Sequence, residues 1–327
     1  MSPTGTEPVV DVHIEPGERR RRLERDVRQG MLGGVRSLPP VWFYDHRGSL
    51  LFDQITRLEA YYPTRTERSI LAAAAPAIVE ASEADTLVEL GSGTSDKTLL
   101  LLDAMTAAGR LRRFVPFDVS EEVLRAASAE IAARYGIGVH AVVGDFHRHL
   151  GQIPTEGRRL VAFLGGTVGN LRPVERRRFW ADLDVTMGHR DHLLLGVDLV
   201  KDPARLVAAY DDSEGVTAEF NRNVLKVINL ELGADFEPAA FDHVALWNAD
   251  ERWIEMRLRS TTDQKVRIEA LDVWVSFAAG DEILTEISAK FTVDGIREEL
   301  WVGGFVLDEC FTDPSDDFAL VLAHPYC

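Results

Sequence analysis

The chain predicts an α/β protein built on a mostly parallel, doubly covered sheet, joined to a second domain of α+β type. Three observations carry this. From Thr86 to about Val200, short apolar runs alternate with segments of helical spacing, the pattern of a parallel sheet with helices on both faces. A strand, a glycine turn and a helix follow one another in Thr86-Leu-Val-Glu-Leu-Gly-Ser-Gly-Thr-Ser-Asp-Lys-Thr98. After Lys201 the rhythm changes to two helices and then several strand-like runs that do not continue it.

Taken in order, Met1 to Gly17 is polar, proline-containing and without periodicity, and reads as a flexible tail over 1–17. Glu18 to Met31 has helix-compatible charge alternation; Arg19 to Arg22 read as a solvated face, with an anion patch as the alternative. Leu38-Pro-Pro40 breaks the chain, and six large rings follow: Trp42, Phe43, Tyr44, Phe52, Tyr61 and Tyr62. They suit a packed cap, and tyrosines can pack a ring while the hydroxyl seeks a partner. Pro63 stops this segment, and Thr64-x-x-Glu67 reads as a capping box opening a helix through about Ala81.

Strands are expected at Thr86–Leu90, Arg113–Phe117, Gly138–Val143, Leu160–Leu164 and His192–Gly196, with helices near Asp96–Ala108, Glu121–Tyr135 and Pro173–Asp184. Pro203–Tyr210 and Val216–Leu232 read as helices. His243–Trp247, Trp253–Arg259, Lys265–Ala270 and Asp272–Phe277 read as antiparallel strands. Gly280–Phe291 leads back to a closing hairpin, Phe305–Phe311 with Phe318–Ala323. The domain reading is therefore 18–63 with 201–288 as a substrate-binding lid, and 64–200 with 289–327 as the sheet domain, the lid covering the carboxyl ends of the strands.

Ligands of such sheets bind at those carboxyl ends. Gly91 and Gly93 let backbone N–H groups approach a ligand at the positive end of a helix dipole. Asp96 stands where a dinucleotide fingerprint needs a third glycine, and a Walker loop is absent. A Gly-x-Gly turn after an acid-ended strand fits S-adenosylmethionine (SAM). Asp118 follows the second strand, where a carboxylate commonly accepts ribose hydroxyls. Asp145 and Phe146 follow the third and could bracket an adenine. Phe163-Leu-Gly-Gly-Thr-Val-Gly-Asn170 ends the fourth, with Asn170 offering donor and acceptor. Each alone also reads as a turn or cap residue; in register on successive strands they favour a SAM site.

With 327 residues, 46% hydrophobic and 27% charged content, the composition is that of an ordinary globular protein of about two domains. A net charge of −17 argues against a nucleic-acid partner. Cys310 and Cys327 give neither a disulfide framework nor metal-ligand spacing, and suit a reducing cytoplasm. Without a signal peptide or a long apolar run, no membrane association is expected. His147-x-His149 reads as a solvated pair, so no metal is expected.

Several longer motifs resemble one family. Tyr61-Tyr-Pro-Thr-Arg-Thr-Glu67, Glu89-Leu-Gly-Ser-Gly-Thr-Ser95, Phe163 to Leu171, Asp198-Leu-Val-Lys-Asp202, Ala209-Tyr-Asp-Asp212, Phe220 to Leu225 and Leu284-Thr-Glu-Ile-Ser-Ala-Lys-Phe291 look like the histidine Nα-methyltransferases of ergothioneine biosynthesis. The likeness runs from about Arg20 to Leu322. It implies a class I, Rossmann-like SAM-dependent methyltransferase sheet, with S-adenosylhomocysteine as by-product and no metal. The substrate implied is free L-histidine with its mono- and dimethylated intermediates; a monomer is expected, although the sequence itself is silent on oligomeric state.

The resemblance also assigns residues. Gly91, Lys97, Asp118, Asp145 and Phe146 are expected to contact SAM. Asn170 and Tyr210, with Tyr61, are expected to hold the amino-acid head. Glu286 and Ser288, with Ile287 between them, are expected at the imidazole. Tyr44 and Phe52 are expected to line the space around the amine, with Tyr44 or Tyr61 as a proton path. A carboxylate beside a hydroxyl can satisfy both imidazole nitrogens. The alternatives are a family member acting on another amino acid or amine, and a SAM-binding regulator or protein methyltransferase.

Overall fold

The computed structural model describes residues 7–93 and 97–326; Thr94, Ser95, Asp96 and Cys327, named above, lie outside it. Among the described residues the strands are β1 (Val9–Val12), β2 (Thr86–Leu90), β3 (Arg113–Asp118), β4 (Gly138–Val143), β5 (Arg159–Phe163), β6 (His192–Asp198), β7 (Phe241–Asn248), β8 (Trp253–Ser260), β9 (Gln264–Ile268), β10 (Val273–Phe277), β11 (Glu282–Ala289), β12 (Phe305–Thr312) and β13 (Phe318–Pro325). The chain divides into two compact units, one of Met1–Glu15, Arg65–Leu199 and Phe291–Cys327, the other of Pro16–Thr64 and Val200–Lys290.

The first unit holds one eight-stranded sheet in the order β1-β4-β3-β2-β5-β6-β13-β12. β1 to β6 pair in parallel; β13 adds antiparallel to β6, and β12 antiparallel to β13. This is the mostly parallel α/β sheet expected from the sequence, with its strand order reversing between β2 and β5. The inner strands Thr-Leu-Val-Glu-Leu and Arg-Leu-Val-Ala-Phe are buried throughout, as strands covered on both faces must be. Arg159 is tolerated there because Asp191 receives its Nε at 2.9 Å. The helix Glu121–Tyr135 begins with two acids in its first turn and ends on Gly136 at φ 65°, a left-handed cap that costs glycine little.

Two expectations for this unit change. The stretch 1–17 is not simply a loose tail: Val9–Val12 pairs with His140–Val143, and Val10 packs against the cluster of Leu124, Ala141 and Val143. Residues 1–6 lie outside the described residues. The capping box at Thr64-x-x-Glu67 does not form, because the helix starts at Pro63 and the Glu67 carboxylate is directed elsewhere. The helix Val293–Val302 was not anticipated; Thr292 caps it by accepting from Gly295 N–H at 3.1 Å.

The second unit has its own core, running from Leu23 and Val27 through Trp42, Phe43 and Phe220 to Ile254 and Ile283. Its helices Glu18–Leu32, His46–Ile55, Pro203–Tyr210 and Val216–Leu232 accompany a three-stranded antiparallel sheet, β11-β8-β7, and the β9-β10 hairpin. A β-bulge in β11 between Leu284 and Glu286 resets the register against β8, so that Glu286 faces Met256 and Ser288 faces Ile254. No helix among the described residues is long and apolar enough to cross a membrane.

Candidate functional site

In the first unit, candidate residues gather at the carboxyl ends of β2, β3, β4 and β5. β2 runs into Gly91 at φ 70° and Gly93 at φ 47°. Gly91 and Ser92 donate their N–H groups to the Phe117 carbonyl at 2.8 and 3.2 Å. Asp118 completes the turn: one oxygen accepts from Gly93 N–H at 3.3 Å, the other from Ser120 N–H at 3.0 Å. A carboxylate has about four acceptor positions, so it retains capacity for ligand hydroxyls. A Cβ placed on Gly91 or Gly93 would meet no described residue within 4 Å. Burial raises the Asp118 carboxyl above its ordinary range.

Behind this turn lies an acid–lysine cluster that sequence reasoning missed. Glu67, fully buried, accepts from Gly165 N–H at 2.7 Å and pairs with Lys97. Gly196 in β6 makes room for it, since a Cβ there would lie 2.1 Å from Glu67 Oε1. Thr98 Oγ1 donates to Glu89, whose burial pushes its carboxyl up to about 8. Lys97, expected at SAM, is therefore also the counter-ion of Glu67. Asp145 accepts from His147 N–H at 3.0 Å, while its own N–H donates to His149 Nδ1 at 3.0 Å. Phe146, half-buried, packs against Phe163 and Phe179 with centroids 5.5 and 5.7 Å away. Asn170 ends the 3-10 turn Thr167–Asn170 in this same unit, half-buried, and its amide bonds to no other described residue.

In the second unit, the rings of Phe43, Tyr44, Phe52, Tyr61, Tyr210 and Phe220 are contiguous. Tyr44 lies 5.5 Å from Phe52 and from Phe220, Phe52 lies 6.2 Å from Tyr61, and Tyr61 lies 6.1 Å from Tyr210. Phe220, which the sequence marks only as part of Phe220 to Leu225, touches Phe43, Tyr44 and Phe52. Tyr210 Oη donates to Ser288 Oγ at 2.8 Å, and Lys290 Nζ donates to both, at 3.0 Å and 2.8 Å. Lys290, buried, was also missed; its signal was the alternation Glu286-x-Ser288-x-Lys290 toward one strand face. Ile287, between Glu286 and Ser288, is buried and pairs in register with Glu255.

Tyr210 is braced from behind. His243 Nε2 lies 2.8 Å from the Tyr210 carbonyl and its Nδ1 2.8 Å from Asn221 Nδ2. A carbonyl only accepts, so Nε2 carries the proton and Nδ1 accepts from the amide. Burial lowers the His243 pKa and keeps this neutral form. Asn221 in turn accepts from Thr285, the residue at the bulge, at 2.7 Å.

Electrostatics here favour neutral groups. Burial raises Glu286 to about 7, partly opposed by Lys290. Tyr44 keeps 40 % of its surface exposed; desolvation first, then Glu286, Tyr61 and Tyr210, push its hydroxyl above the usual value. Tyr44 is thus a neutral phenol and no resting phenolate base. Raised carboxyls also fix a stability trend. The fold prefers the protonated forms of Glu89 and Glu286, so their contribution is complete below about 4.5 and is lost as pH rises toward about 8 and 7. Glu89→Gln is expected to flatten the melting-temperature profile between pH 4.5 and 8 and to melt above the parent protein at pH 8; thermal unfolding in a pH series reads this out.

Comparisons with known proteins agree with this chemistry. The family described as histidine-specific, SAM-dependent methyltransferase matches residues 23–325. A histidine N-alpha-methyltransferase of Mycolicibacterium smegmatis is 59% identical over 302 residues, 92% of this chain and 94% of that protein. One from Mycobacterium tuberculosis is 56% identical over 302 residues, with the same coverage. Ergothioneine biosynthesis protein 1 of Neurospora crassa is 33% identical over 205 residues, 61% of this chain but 23% of that longer protein. On its match over nearly the whole length, the chain belongs to the histidine-specific, SAM-dependent methyltransferase family.

Proposed function

We propose that this protein transfers three methyl groups, one at a time, from SAM to the α-amine of free L-histidine, giving hercynine on the route to ergothioneine. The observation that carries the reading is the pairing of a buried, easily protonated Glu286 with Ser288 on one strand face, in a chain 59% identical to a histidine N-alpha-methyltransferase. SAM supplies an electrophilic methyl on a sulfonium. Gly91 and Gly93 would cradle it, Asp118 would accept its ribose hydroxyls, and Asp145 and Phe146 would flank the adenine. The Asp118 carboxylate beside the glycine turn suits a donor carrying positive charge, with Glu67 and Lys97 offsetting each other.

Asn170, Tyr61 and Tyr210 would hold the amino-acid head, and Glu286 with Ser288 the imidazole. An imidazole titrates near 6.5 in its ordinary state, close to Glu286, so the two share one proton across the neutral range. Each transfer needs a neutral amine, so positioning supplies most of the catalysis. Tyr44, Phe52 and Tyr61 would wall the growing methylammonium, which aromatic faces attract. The amine proton leaves to water or through a tyrosine hydroxyl, and no metal takes part.

Because Tyr44 stays a neutral phenol, Tyr44→Phe is expected to lower the rate while leaving the pH at which it rises unchanged. A shift of that midpoint in its pH–rate profile would put the phenol in the proton transfer. The proposal itself is tested by incubating the protein with SAM and a panel of free amino acids and reading products by mass. L-Histidine alone should gain one, two and then three methyl groups. Methylation of tryptophan or another amine instead would refute the role given to Glu286 and Ser288.

A further inference from the structure

The first unit carries a second cluster of metal-type ligands, away from the glycine turn. His192 opens β6, His324 lies near the end of β13, and Asp308 sits in β12 at the bulge between Leu307 and Glu309. Ala323 pairs with Leu193, so continuing that antiparallel register by one residue places His324 opposite His192 on a shared face. The ligand atoms of all three residues lie within 4.8 Å of one another. His324 Nδ1 is 2.8 and 2.9 Å from the two Asp308 oxygens, and His192 Nε2 is 3.9 Å from Asp308 Oδ2. The rings of His192 and His324 stand 6.1 Å apart at 53°.

We propose that His192, Asp308 and His324 form a binding site for a first-row divalent cation of the zinc type, which clamps the β12–β13 hairpin to β6. Two imidazoles and one carboxylate are a donor set that such ions take, with water completing the shell. An ordinary His–Asp pair accounts for His324 but not for His192. His192 Nε2 faces Asp308 Oδ2 at 3.9 Å, beyond hydrogen-bond reach, which leaves between them the gap an ion would fill. A bulge often re-aims a side chain, and this one falls at Asp308.

The neighbouring charges have partners of their own. Arg158 is held by Glu83, and Asp191 by Arg159. On binding, the cation takes the place of the proton between His324 Nδ1 and Asp308, and that proton passes to solvent. The cluster lies at the amino-terminal end of β6, whereas the glycine turn follows the carboxyl end of β2 and β6 runs parallel through β5 to β2. Its role is structural, independent of methyl transfer.

The test uses the untagged, chelator-stripped protein. Zn²⁺ titration by calorimetry should give one site per chain, Co²⁺ should develop visible ligand-field bands, and Zn²⁺ should raise the melting temperature. Asp308→Asn and His324→Gln should each weaken Zn²⁺ binding at least about ten-fold and abolish the thermal shift. Should a variant fail to fold, diethylpyrocarbonate labelling of the unmutated protein decides: Zn²⁺ should protect His324 and leave the exposed His147 reactive. Absence of saturable Zn²⁺ and Co²⁺ binding overturns the proposal. So does binding that both variants retain, or protection that spares His324.

Discussion

Glu286→Gln is expected to lower kcat/KM for L-histidine by roughly 10- to 150-fold, the worth of about 1.5–3 kcal/mol for a hydrogen bond to a charged group. Glu286 has almost no solvent access, so water cannot replace the lost acceptor. The amide keeps the shape and one carbonyl acceptor but cannot share a proton with the imidazole. A site built to bond both ring nitrogens rejects ligands that leave its polar groups unpaired. The same change should therefore erode selectivity: the ratio of rates for L-histidine over an amino acid with an apolar ring falls. Steady-state kinetics with both substrates measure this. Equal losses for both would mean that Glu286 supports the fold and does not read the imidazole.

Glu67→Ala is expected to cost about 3–5 kcal/mol of stability, the usual penalty for stripping one partner from a buried ion pair. It orphans Lys97 and the Gly165 N–H together. At about 2–4 °C per kcal/mol for a domain of this size, the melting temperature should fall on the order of 10 °C. SAM should bind more weakly as well, since Lys97 follows the glycine turn. Gly196→Ala should act in the same direction, because its Cβ would lie 2.1 Å from Glu67 Oε1. Calorimetric melting with and without SAM tests both; an unchanged melting temperature for Glu67→Ala would remove the buried pair from the stability of this unit.

The sheet was largely legible because its strands leave unambiguous patterns. β2 and β4 are short apolar runs between polar turns, and they form at the residues expected. The helix Glu121–Tyr135 is bounded by its own acids and Gly136. β1 was not legible: Val9–Val12 is an outer strand with little burial, fixed only by pairing with β4 more than a hundred residues away. Glu67 misled because a local pattern, Thr-x-x-Glu, outweighed partners 30 and 98 residues distant.

The site divides in the same way. Gly91 and Asp118 could be named as candidates from the strand-end pattern, and Glu286 and Ser288 from the family resemblance. Those defined by long-range packing could not. Lys290 acquires its place only when Tyr210, 80 residues earlier, meets β11. His243 matters because one ring nitrogen meets the Tyr210 carbonyl and the other Asn221. Strand alternation places Lys290 with Glu286 and Ser288, but no spacing rule encodes its partner Tyr210 or those of His243.

The most direct measurement is fragmentation mass spectrometry of the product formed from L-histidine and SAM, locating the methyl groups atom by atom. With Glu286 and Ser288 holding the ring and the amine facing the donor, all three methyl groups should lie on the α-nitrogen and none on the imidazole. Methyl groups on a ring nitrogen would mean that the substrate binds the other way round and would contradict the account.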